Sequence, residues 1–136
     1  MTGRTAEIAV RCACGSAAVR RVNQFVLHDV LWWDAEFSCG ACGAALCEHA
    51  GPEPVPDDVR AALLAAHGPV RLRLVGPLPS RVPAWKVLRE VLSVSLPRAR
   101  ELVEELSREG LEGTAAEMEF LGGRLRRGGV PVDVDR

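Results

Sequence analysis

The chain has 136 residues, of which 48% are hydrophobic and 26% charged, so it is too apolar for a disordered chain and long enough for one ordinary domain or two very small ones. Seventeen Lys and Arg against 18 Asp and Glu leave a net charge of −1, and all the cations but Lys86 are Arg. Neither the first 50 residues, with four Arg against five acids, nor the remainder, with 13 cations against 13 acids, carries the positive excess that draws nucleic acid or acidic lipid.

No apolar run approaches the roughly 18 residues that a membrane helix needs. Met1 to Ala9 lacks the basic region and apolar core of a secretory leader. The expectation is a soluble cytoplasmic protein without a membrane partner. In that compartment thiols stay reduced, so five Cys suit metal ligation better than disulfides, and an odd count leaves one unpaired.

In chain order, Ile8-Ala9-Val10 reads as a short strand leading into Cys12 and Cys14. Phe25 to Phe37 is rich in β-branched and aromatic residues and reads as strand, although pattern alone leaves a helix open over Phe25–Leu31. Three Pro within Pro52–Pro56 break regular structure, so Ala50 to Pro56 reads as a linker. Asp57 and Asp58 before an Ala- and Leu-rich run, with Gly68 after His67, predict a short capped helix. Val70 to Val75 alternates apolar and basic residues, as a strand with one buried face does. Trp85, Leu88, Val91 and Leu92 recur at helical spacing, as do Ala99, Leu102, Val103 and Leu106 behind Pro97. Leu111-Glu112 leaves room for a very short strand. Thr114-Ala115-Ala116-Glu117 is a capping-box pattern opening a helix with Met118, Leu121 and Leu125 on its apolar face. Gly128 and Gly129 end that helix, and Val130 to Val134 alternates as a last strand.

All five Cys lie between positions 12 and 47. Cys39-Gly40-Ala41-Cys42-Gly43 places two thiolates on one tight turn, and its glycines let backbone N–H groups turn back toward the sulfurs. Cys12-Ala13-Cys14-Gly15 supplies a second, more tightly spaced pair. Cys12, Cys14, Cys39 and Cys42 together make a four-thiolate set for a structural Zn2+. The arrangement resembles a zinc ribbon over about residues 6–49. A module without metal, its Cys acting as small buried hydrophobes, is the alternative. A redox role for Cys39 and Cys42 lacks the βαβ surroundings of thioredoxin-like proteins. Cys47 is either a spare buried thiol or a substitute ligand for Cys12, and His49 is either a further ligand or an exposed side chain. Trp32 and Trp33, adjacent on a strand, face opposite sides, one into the core and one outward as a binding anchor or packed on the second module; the alternative is that both are covered within the protein.

The stretch from Trp85 to Val103, with Lys86, Arg89, Glu90, Ala99 and Leu102-Val103, resembles without a gap the helix-turn-helix of the C-terminal domain of the bacterial ribosomal stalk protein. Gly129 to Val134 resembles that family's last strand, and the Clp protease adaptor has a similar fold. The resemblance covers about half the chain. It implies a β-α-α-β-α-β domain and a helix pair that docks protein partners, with Lys86, Arg89, Leu96 and Arg100 on the matching basic or apolar positions. Pro97 stands where the family has a Lys, Arg98 where it has Glu, and Ser93 and Ser95 where it has Gly. The expected fold class is therefore α+β: a small zinc-ribbon β module over 1–50, a linker with a short helix over 51–69, and a stalk-like domain over 70–136.

No reactive constellation accompanies these elements. His28, His49 and His67 lie in three separate segments, and no nucleophile elbow or phosphate loop is present. The expected function is a non-catalytic protein-interaction or adaptor protein, not an enzyme. Its partner would be a protein such as a translation factor, a protease or a toxin. The alternative is a nucleic-acid-associated or transcription/translation regulatory zinc-ribbon protein, for which Arg71, Arg73, Arg124, Arg126 and Arg127 are the candidate contacts.

Overall fold

A computed structural model describes residues 3–135; Met1, Thr2 and Arg136 lie outside the described residues. The protein is α+β and divides after Gly68 into two compact units, residues 1–68 and 69–136. No helix among the described residues is long and apolar enough to cross a membrane.

The first unit is a four-stranded antiparallel meander, β1 (Gly3–Arg11), β2 (Ala17–Leu27), β3 (Val30–Ser38) and β4 (Ala45–Gly51), in that spatial order. Side chains alternate across it, so the register Ala6↔Val22↔Ala35 and Gln24↔Trp33 collects one buried face. Helix α1 (Asp57–His67) lays Val59 and Leu63, one turn apart, on Ala6, Val22, Trp33 and Ala35. Arg20 on β2 reaches Glu48 at 2.7 Å and Asp58 at 3.0 Å, tying the helix start to the sheet. A bulge opposite Ala35 and Glu36 takes Glu48 out of register and toward Arg20.

The strand reading of Phe25 to Phe37 resolves into two strands: β2 and β3 meet at a two-residue turn, His28 and Asp29, both with positive φ (48° and 63°). The stretch 50–56 is more than a connection, because β4 runs through Gly51 and Val55 packs into the first core. Residues 51–68 thus belong with the first sheet.

The second unit runs β5 (Val70–Leu74), α2 (Val82–Leu92), α3 (Leu96–Arg108), β6 (Leu111–Gly113), α4 (Ala115–Arg127) and β7 (Val132–Asp135). Its sheet has the order β6-β5-β7, antiparallel throughout, with the first strand in the middle. Val70, Leu72, Leu88, Leu102, Val103, Leu106, Leu121, Leu125 and Val132 form its core. Ser95 caps α3 by accepting from the Arg98 backbone N–H at 3.3 Å, and Pro97 sits in the first turn, where its missing donor costs nothing. The Thr114–Glu117 capping box is complete, with bonds of 2.9 and 3.2 Å. Gly110 joins α3 to β6 at φ +88°, and a Cβ there would come 2.6 Å from the Leu72 carbonyl oxygen.

On the outer face of this sheet Arg71 pairs with Glu112, and Arg73 with Asp135 at 3.1 Å.

Candidate metal centre

The four candidate ligands come from two hairpin turns at the same end of the first sheet. In the turn between β1 and β2, the Cys12 N–H donates to Ser16 O and the Gly15 N–H to Cys12 O, both at 2.9 Å. In the turn between β3 and β4, the Cys39 N–H donates to Ala44 O and the Gly43 N–H to Cys39 O, again at 2.9 Å. Gly15 and Gly43 both take positive φ (92° and 78°), which closes each turn so tightly. The second turn is one residue longer than the first but is closed by the same pair of backbone bonds.

The sulfurs of Cys12, Cys14, Cys39 and Cys42 all lie within 4.8 Å of one another. Cys12 Sγ to Cys42 Sγ and Cys14 Sγ to Cys39 Sγ are each 3.7 Å. A tetrahedron of four sulfurs at the usual Zn–S length has edges of about 3.8 Å. The four cysteines are therefore positioned to bind one metal ion, and their spacing and chemistry are compatible with zinc.

The sulfurs are electrostatically unequal. The Ser16 backbone N–H, helped by the Ser16 hydroxyl and the Cys12 thiol, holds the Cys14 thiol down at about 6. The Cys14 backbone N–H favours the Cys12 thiolate too, but burial and the sulfurs of Cys14, Cys42 and Cys39 outweigh it and push Cys12 up to about 11. Cys12 and Cys39 are buried, with Ala18, Val10 and Phe37 packed around them; Cys14 and Cys42 face solvent.

Cys47 and His49 stand apart from this set. Cys47 is an exposed thiol opposite Glu36, neither buried nor in place of Cys12. His49 stacks on Trp33, ring centroids 3.8 Å apart, and its Nε2 lies 3.2 Å from Glu53. Trp33 is the core tryptophan, and Trp32, on the opposite face, stacks with Phe25 at 6.5 Å.

The second unit gathers the other candidate residues. Lys86, Arg89 and Leu96 line a groove of about 590 Å³ between α2 and α3, together with Val82, Trp85, Glu90, Ser93 and Val94. Arg100 places its guanidinium 5.0 Å from the centre of the Trp85 ring, so it joins the same surface. Sequence reasoning counted Trp85 as a residue of the apolar helix face and missed it as a groove wall. Its signal was the Arg fifteen positions later, legible only once α2 and α3 fold together. Ser93 closes α2 at φ +54°, a conformation in which Gly is easier.

Scanned against protein-family models, curated proteins and solved structures, the chain matches none.

Proposed function

We propose that this chain is a non-catalytic protein-interaction or adaptor protein, a zinc ribbon joined to a domain with the stalk-protein fold. The observation that carries the reading is the α2–α3 groove. Its apolar lining of Val82, Trp85, Val94 and Leu96 is edged by Lys86, Arg89 and Glu90, with Arg100 over Trp85, so cations outnumber the one acid. An apolar cleft with an aromatic anchor and cations at its edge suits a partner segment that carries apolar side chains beside acids.

The metal centre supports a scaffold role. Cys12, Cys14, Cys39 and Cys42 would hold Zn2+ with four thiolates, and such a set leaves no position for water or substrate. When bound, the ion supplies folding free energy to a unit whose own core is small. The three histidines serve elsewhere: His28 in a turn, His49 against Trp33, and His67 with its Nε2 2.6 Å from the Thr5 carbonyl oxygen.

A nucleic-acid role has weaker support, because Arg71 and Arg73 are engaged with Glu112 and Asp135, and Arg126 lies 3.9 Å from Asp133. Affinity capture from the native lysate, with nuclease and at low and moderate salt, separates the two readings. A protein retained under all these conditions is the expected result. Loss of every captured component on nuclease treatment would favour the nucleic-acid reading.

A further inference from the structure

All four sulfurs lie within 4.8 Å of one another, and two of the separations that cross from one turn to the other are 3.7 Å. Cys12 lies 3.7 Å from Cys42, and Cys14 lies 3.7 Å from Cys39. Each pair also joins a buried sulfur to an exposed one: Cys42 and Cys14 face solvent, whereas Cys12 and Cys39 are covered. We infer that the centre is a site of oxidative modification by hydrogen peroxide, in which exposed Cys42 and Cys14 are oxidised and buried Cys12 and Cys39 resolve them into two disulfides that bridge the turns.

The inference rests on the zinc reading above. Thiolates, not thiols, are the nucleophiles, and zinc, when bound, would keep all four in that form. The Cys42 thiolate attacks one peroxide oxygen; an S–O bond forms, the O–O bond breaks and hydroxide leaves. The sulfur is oxidised by two electrons to a sulfenic acid and the peroxide is reduced. The Cys12 thiolate then attacks the Cys42 sulfur; the S–S bond forms, the S–O bond breaks and a second hydroxide leaves. Cys14 and Cys39 follow the same course with a second peroxide. Each disulfide removes two ligands, so the ion departs as a free dication. Because both bridges run between the turns, the β1–β2 turn stays tied to the β3–β4 turn after the metal has gone. A thiol reductant with added zinc reverses the change.

The test uses the full chain loaded with zinc and titrated with hydrogen peroxide. A chromogenic chelator follows metal release, and non-reducing peptide mass spectrometry maps the bonds. The expected result is full zinc release after two peroxides per chain, with Cys12–Cys42 and Cys14–Cys39 bridges and Cys47 free. The Cys47→Ser variant should behave identically, and dithiothreitol with zinc should restore the starting state. Bridges within a turn, bridges to Cys47, bridges between chains, or sulfinic acids without bridges would overturn the inference while leaving the zinc reading intact. So would retention of the zinc. A chain that takes up no zinc at all would overturn both.

Discussion

Arg100 on α3 lies over the ring of Trp85 on α2, 5.0 Å from its centre, and so joins the two helices that form the groove. The contact has a structural and a functional side. A cation over an indole contributes about 0.5–1 kcal/mol at an exposed site. Arg100→Ala should therefore cost no more than that in denaturant unfolding of the second unit. Trp85→Ala also removes packing against the core and should cost about 3 kcal/mol. In the double variant the two losses should fall short of their sum, because the contact is shared.

Metal removal should act on one unit only. Cys12 and Cys39 have their own small cluster in the first unit, whereas the core of the second consists entirely of residues 70–132. Cys39→Ser, or a strong chelator, should abolish or sharply lower the melting transition of the first unit. The transition of the second should stay in place. Calorimetry on the full chain reads both at once.

The thiols set a pH dependence for the metal-free protein. Cys14 is lowered from 9.0 to about 6 in the folded chain, first by the Ser16 backbone N–H. A depressed folded value stabilises above the unfolded value and is lost as pH falls through the folded one, so this contribution should rise between about pH 6 and 9. Cys12 is raised from 9.0 to about 11, so its contribution should be full below pH 9 and lost toward pH 11. The two sulfurs titrate as a coupled pair. Stability of the metal-free first unit, measured by urea unfolding under reducing conditions, should peak near pH 9. A monotonic decline from pH 6 upward would contradict the arrangement around Ser16.

The helix α1 belongs to the first unit because of two side chains. Leu63 is 2% exposed and Val59 fully covered, both against the sheet. Leu63→Ala should cost about 2–5 kcal/mol, all of it in the first unit. An unchanged first transition in the same calorimetric experiment would mean that α1 is not part of that fold.

The second unit was the more legible half of the sequence. Its helices follow a 3.6-residue period, and each start carries local chemistry, the Thr114–Glu117 box above all. The first unit hid two features. His28-Asp29 forms a hairpin turn without the Gly or Asn that normally marks one, so nothing in the local composition splits Phe25–Phe37. The attachment of α1 depends on Val59 and Leu63 meeting residues some 25–55 positions away, which no local pattern encodes. The metal ligands were visible because paired Cys on short turns is a matter of chain spacing. Cys47 was ambiguous because its position depends on the register of β4 against β3, including the bulge that displaces Glu48.

A side-by-side comparison of two chains tests the α2–α3 groove as the docking surface. The wild-type chain and the Lys86→Glu/Arg100→Glu variant would be used side by side for quantitative affinity capture from the native lysate. Both side chains are exposed, so zinc content and melting should change little. A protein bound by the wild type should be at least tenfold depleted with the variant. Equal recovery of every bound protein by the two chains would contradict it.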